Sequence, residues 1–183
     1  LKAVSEKQQN PWIEGLQTIG LSIVLALGIR QFVAEARFIP SGSMKPTLQI
    51  DDRLVVEKIS YRFNPPKRGD IIVFQAPQKA LDVVGSTTHD AYIKRVIGLP
   101  GDMVEVRDGK VFINGEVLQE DYIQAPPTYS WGPEVVPADE YLVLGDNRNS
   151  SSDGHVWGFL PRESIIGRAV VRFWPPTRIG GLD

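Results

Sequence analysis

Residues 103–113 read MVEVRDGKVFI: two short apolar runs joined by Asp108-Gly109. Val104 and Val106 alternate with Glu105 and Arg107, the period of a strand with one face buried. Asp-Gly between such runs signals a two-residue hairpin, because a type I′ turn needs positive φ at both central residues. Asn114-Gly115 marks a second turn just downstream. Working outward, similar apolar stretches recur at Arg53–Lys58, Asp70–Phe74, Ala91–Ile97, Glu140–Leu144 and Ile165–Phe173. Pro65-Pro66, Pro126-Pro127 and Pro175-Pro176 punctuate the loops between them. The chain therefore reads as mainly β, an antiparallel β-sheet domain over residues 36–183. Two polar loop insertions are expected at about residues 75–90 and 126–137, the second with Tyr129 and Trp131 packed. No internal repeat or low-complexity tract is present.

Upstream of Pro40 the pattern changes. Leu16–Ile29 reads LQTIGLSIVLALGI without a charge. Those residues span only about 21 Å as a helix, short of a hydrocarbon core of roughly 30 Å. Extension from Trp12 to Val33 gives the length, with Glu14 and Arg30 near the ends and Trp12 as an interface anchor. Residues 12–35 are thus expected to form one membrane-anchor helix in a lipid bilayer, preceded by a flank at 1–11. A buried or surface amphipathic helix is the first competing reading. The second is a cleavable leader ending at Ala34-Glu35-Ala36, disfavoured by Arg30 and Gln31 between the apolar run and that site. Lys2 and Lys7 on one side balance Arg30 and Arg37 on the other, so charge sets no orientation. Leu1 in place of an initiator Met leaves the natural N-terminus open.

With 183 residues, 42% hydrophobic and 23% charged, the chain can bury a substantial core. Its 20 basic and 22 acidic residues are interleaved, unlike the basic footprint of a nucleic-acid binder. The absence of cysteine excludes a thiol nucleophile, disulfides and thiolate metal sites. Two histidines without clustered ligand spacing argue against a metal enzyme, and no cofactor is expected.

Three segments carry chemistry. Ile39–Leu48, IPSGSMKPTL, sets two serines about a glycine between two prolines, a rigid turn that can expose a hydroxyl and an amide together. Tyr92–Asp102, YIKRVIGLPGD, puts Lys94 beside Arg95 in an apolar strand. Alternation sends the two cations to opposite faces, so one must approach the buried side. Gly145–Asp153, GDNRNSSSD, follows the apolar strand YLVL and precedes WGF. Taken singly, each segment is equally a plain loop, an edge-strand lysine or a surface turn.

Together with RGDIIVF at Arg68–Phe74, and in this order behind an apolar segment, they resemble type I signal peptidases from Pro40 to Val171, in particular cyanobacterial and chloroplast thylakoid members. The resemblance implies a serine endopeptidase that removes signal (leader) peptides of preproteins after small-x-small sequences. It implies Ser43 as nucleophile and Lys94 as general base, with the Ser43 amide and Ser41 hydroxyl as oxyanion site. Ser151 would orient the lysine amine, and Asp146, Arg148 and Asp153 would brace the site. Ile39, Pro40, Met44, Leu48, Tyr92 and Ile93 would line small substrate pockets. The implied location is a single-pass membrane protein with its catalytic domain on the extracytoplasmic side, periplasmic or thylakoid-lumenal. Two positions depart from the common pattern: Asn149 stands where many bacterial members carry Asp, and Arg37 where an apolar or aromatic residue is common.

The physical requirement is a neutral amine. A free lysine, with a pKa of about 10.4, is under roughly 0.1% unprotonated at neutral pH. Burial without an anionic partner lowers that value, and about 8 would leave roughly 10% neutral at pH 7. A Ser–His–Asp site using His89 or His155 lacks a G-x-S-x-G elbow, and replacing both histidines is expected to leave activity intact. Lys45 is a second candidate base, set between Met44 and Pro46 with an exposed appearance. A self-cleaving repressor would need a DNA-binding region where the apolar segment stands. A membrane-tethered, non-catalytic peptide-binding β module is the alternative of a different class.

Overall fold

The computed structural model describes residues 11–85, 87 and 90–182. Helix α1, Pro11–Phe32, is 22 residues long and none of them is buried. It is long and apolar enough to cross a membrane, with a rise of about 33 Å. Its hydroxyls are satisfied internally, Thr18 Oγ1 donating to the Glu14 carbonyl at 2.9 Å and Ser22 Oγ to the Thr18 carbonyl at 2.8 Å.

The helix stops at Phe32, short of the expected residue 35, because Ala34–Phe38 pairs as strand β1 with β2 (Arg53–Glu57). Lys58 fixes the junction: its backbone N–H donates to the Val33 carbonyl and its Nζ to the Arg30 carbonyl, at 2.8 and 3.0 Å. Ala34-Glu35-Ala36 is therefore sheet, in register with Val55–Glu57.

Beyond β2 come α2 (Ser60–Phe63), β3 (Ile71–Gln75), α3 (Gln78–Val84) and β4 (Ala91–Gly98). Then follow β5 (Met103–Arg107), β6 (Lys110–Ile113), β7 (Glu116–Val117), β8 (Trp131–Val135) and β9 (Glu140–Leu144). The chain closes with α4 (Gly154–Trp157), β10 (Leu160–Pro161), β11 (Ile165–Trp174) and β12 (Gly180–Gly181). The larger sheet runs β1-β2-β11-β3-β4-β9-β10, with β12 on β11; the smaller runs β7-β6-β5-β8. All pairs are antiparallel. Asp108 and Gly109 take φ of 51° and 71° at the β5–β6 turn, the positive pair that a type I′ turn requires.

Two expected loops contain structure. Within residues 75–90, α3 buries Ala80 and Leu81, and Gly85 ends it in the left-handed region at φ 64°. Within 126–137, β8 pairs with β5, setting Trp131 opposite Val106, and the Trp131 ring meets Phe159 edge-on at 5.9 Å. The core lies in three apolar clusters, on Leu54, Val56 and Ile71, on Phe74, Val96 and Trp157, and on Val104, Val111 and Leu144.

Candidate active site

The Ser43 turn is held at both ends. The Ile39 N–H donates to the Asp52 carbonyl at 2.9 Å, and the Asp51 N–H to the Ile39 carbonyl at 3.0 Å. Met44 and Leu48, four residues apart, both drive their side chains into the first cluster and are fully buried. They pack there with Ile39 and Ile93, which line the neighbouring cleft, whereas Met44 and Leu48 are not among the residues that line its open surface.

This turn brings the Ser43 Oγ to 3.0 Å from the Lys94 Nζ, which lies 2.9 Å from the Ile93 carbonyl. Lys94 sits in β4 opposite Ile72 of β3 and is 5% exposed. Burial lowers its pKa to about 8, partly opposed by the negative charges of Asp153 and Asp146. Arg95 faces the other way, but it too is buried, so both adjacent cations enter the interior. The Arg95 charge is answered in full: Nε and Nη2 donate to the two Asp146 carboxylate oxygens at 2.8 and 2.7 Å, and Tyr122 lies under the guanidinium at 4.0 Å.

The Gly145–Asp153 loop packs directly on the serine turn. A Cβ on Gly145 would fall 2.5 Å from the Ser43 carbonyl oxygen, so only glycine permits this approach. Asn147 clamps the turn from the same side, its backbone N–H donating to the Ser43 carbonyl at 3.0 Å and its Nδ2 to the Gly42 carbonyl at 3.1 Å. Thr47 Oγ1 donates to Asp146 Oδ2 at 2.5 Å, joining turn, loop and β4 in one network. Arg148 is buried in a two-pronged pair with Glu120, Nη1 to Oε2 at 2.7 Å, while its Nε donates to the Gly145 carbonyl at 3.1 Å. Asn149 makes no ion pair; its Oδ1 accepts from the Thr128 N–H at 2.8 Å and its Nδ2 donates to the Pro126 carbonyl at 2.9 Å. Asp153 caps α4, accepts from the Gly145 N–H at 2.8 Å, and meets His155 Nδ1 at 2.6 Å. Among the described residues the buried Ser151 Oγ has no hydrogen-bond partner and does not bond Lys94; the amine bonds the Ile93 carbonyl instead.

A cleft of about 770 Å³ opens on the pair, lined by Ile39, Pro40, Ser41, Tyr92, Ile93 and Arg37 among others. Ser41 is exposed, its Oγ 3.4 Å from that of Ser43. Among the described residues no histidine bonds Ser43: His155 is engaged by Asp153 and stacked on Tyr129, ring centroids 3.9 Å apart. His89 lies outside the described residues. Lys45 is half-buried, its stem folded over Gly42, rather than exposed. Asn147, Glu120 and Thr47 were assigned no role by sequence reading, and Arg95 appeared only as the neighbour of Lys94. Asn147 stood in the quoted GDNR run, but nothing local marks it as the clamp on a turn so distant in sequence.

Residues 12–174 match the family described as signal peptidase, peptidase S26. A signal peptidase I from Leptolyngbya laminosa is 64% identical over 180 residues, 98% of this chain and 88% of that protein. Thylakoidal processing peptidase 1 of Arabidopsis thaliana is 45% identical over 160 residues, 86% of this chain and 47% of the relative. A crystal structure of a signal peptidase I from Enterococcus faecalis V583 is 33% identical with a TM-score of 0.48, covering 57% of this chain and 97% of that one. The chain belongs to the signal peptidase, peptidase S26, family.

Proposed function

We propose that the chain is a serine endopeptidase that removes leader peptides from exported preproteins, cutting after small-x-small sequences with a Ser43–Lys94 dyad. The observation that carries this reading is the buried Lys94 amine, 3.0 Å from the Ser43 hydroxyl and without a carboxylate bonded to it. With a pKa of about 8, roughly 10% of the amine is neutral at pH 7. The neutral amine takes the Ser43 proton as Oγ attacks the scissile carbonyl. The Ser43 amide and Ser41 hydroxyl receive the oxyanion; each such donor is worth about 3 kcal/mol. The ammonium then protonates the leaving amine, and a water, deprotonated by the same amine, hydrolyses the acyl-enzyme. Ser151, whose buried hydroxyl has no partner among the described residues, takes up the amine when Ser43 turns to substrate. The extended leader lies along the cleft by β-augmentation, with Ile39, Pro40, Tyr92 and Ile93 as walls of the small pockets. Helix α1 anchors the enzyme in the bilayer, and the catalytic domain faces the extracytoplasmic side.

A fluorogenic leader peptide tests the reading. Ser43→Ala and Lys94→Met should each abolish cleavage while the circular dichroism spectrum is kept. Cleavage by either folded variant sinks the dyad, and peptide binding without cleavage by the native chain would leave only the tethered binding module.

A further inference from the structure

We propose that Arg37 selects leader sequences by charge, favouring an acidic over a basic side chain at the fourth to sixth residues before the cut. The inference rests on the proposed endopeptidase reading and concerns residues upstream of the small pockets.

Arg37 lies in β1 and Ile39 directly follows it, still bonded through its backbone to Asp51 and Asp52, so the two share a face about 7 Å apart along the chain. Ile39 flanks the site next to Ser43, which puts Arg37 on the same wall, further from the nucleophile. It lines the catalytic cleft and also the neighbouring groove against α1, and so forms the partition between them. Its side chain is 39% exposed. Nε donates to Glu35 Oε1 at 2.5 Å, and its two Nη groups make no hydrogen bond among the described residues. They can therefore receive a carboxylate.

The local charge is positive. Glu35 is shared by Arg37 and Lys58, whose Nζ stands 2.7 Å from Oε2, and Arg30 lines the same groove. Burial alone would raise the Glu35 pKa, but hydrogen bonds from Lys58 and Arg37 outweigh it and keep the carboxylate ionised. One carboxylate thus faces two cations in direct contact, with a third beside them. Among the described residues lining the cleft the acidic one is Asp90, which has an interaction of its own. A leader following the Arg37 wall meets net positive charge; one following the Asp90 wall would meet the reverse.

The third residue before the cut must be small to enter its pocket, so the charge readout falls on the residues just upstream. A unit charge about 6 Å from a half-exposed guanidinium is worth a few-fold in binding. A Glu-to-Lys exchange should then change kcat/KM by roughly tenfold at low ionic strength, and by less as salt is added.

The test uses the full chain in detergent and peptides identical except for Glu, Gln or Lys placed in turn at the fourth, fifth and sixth positions. The Glu:Lys ratio of kcat/KM is measured for the native chain, Arg37→Gln, Arg37→Glu and Asp90→Asn. Because each ratio compares two substrates on one preparation, the fraction of folded enzyme cancels. The expected ratio is roughly tenfold for the native chain at one or more positions, near one for R37Q and inverted for R37E. A native ratio of one at all three positions overturns the inference. So does a native ratio retained by R37Q, or one abolished only in Asp90→Asn. Failure of the native chain to cut the Gln peptide would be a different result, removing the endopeptidase reading and this inference with it.

Discussion

Replacing Lys94 by Met should make the protein more stable at neutral pH, and the gain should fade as the pH rises. The buried amine titrates at about 8, against 10.5 when exposed. At about 1.36 kcal/mol for each pKa unit, the difference is about 3 kcal/mol. Below pH 8 both folded and unfolded chains hold the proton, and the full cost of keeping an ammonium in a dry site weighs on the fold. Between about 8 and 10.5 the unfolded chain binds more protons than the native one, so native stability climbs with pH. Above that window both amines are neutral and the cost has gone. Lys94→Met has no such ramp. It loses the hydrogen bonds to Ser43 and Ile93, about 1 kcal/mol each, as a nearly pH-independent offset.

Urea unfolding of the full chain in micelles at intervals from pH 7 to 11 provides the assay. The native stability minus that of Lys94→Met should rise by about 3 kcal/mol across the range. Groups common to both proteins, including the half-buried Tyr61, Tyr122 and Tyr129, cancel in the difference. A flat difference, or one that falls, would refute the claim that burial lowers the pKa of this amine. The kinetic counterpart is an ascending limb of kcat/KM centred near 8 in the native enzyme, the value of the free base. A limb near 10 would agree with the refuting result.

Gly145→Ala should lower kcat by at least about 10²-fold with little change in secondary structure, because its Cβ would displace the Ser43 carbonyl and the nucleophile with it; full activity would show that the loop yields. Asp146→Ala leaves the buried Arg95 charge unanswered and should destabilise the fold by about 3–5 kcal/mol, read as a lower urea midpoint. His155→Ala removes a partner of buried Asp153, whose charge already favours the Lys94 ammonium, so the pH–rate limb should shift upward with activity reduced several-fold. Complete loss in folded His155→Ala, unrelieved at higher pH, would instead support a histidine base.

Elements defined by their own chemistry were legible in the sequence. Met103–Arg107 and Lys110–Ile113 form as read, since alternation and an Asp-Gly turn are local signals. What was missed is set by distant partners. QKALDVV is too short to display a helical period, and α3 exists because Ala80 and Leu81 find the core. WGPEV carries Gly132 and Pro133, both strand breakers, yet β5 supplies its pairing. Met44 and Leu48 belong to the motif proposed as the nucleophile turn, but a motif cannot tell which of its side chains pack into the core; only packing decides which face is dry.

The proposed dyad shows where sequence reading ends. Lys94 stood out as a cation in an apolar strand, and alternation required one of Lys94 and Arg95 to turn inward. Both do, and the fold treats them in opposite ways. A guanidinium stays charged in a protein interior, so Arg95 can be buried only against an anion, which Asp146 supplies through both carboxylate oxygens. An ammonium has a second option, to give up its proton more readily, and burial moves Lys94 toward it, to a pKa of about 8, because the same carboxylate is committed to the opposite face of β4. The chemistry assigned to Lys94 thus depends less on the lysine than on which side of the strand Asp146 reaches, a placement fixed by the contact between the serine turn and the Gly145–Asp153 loop.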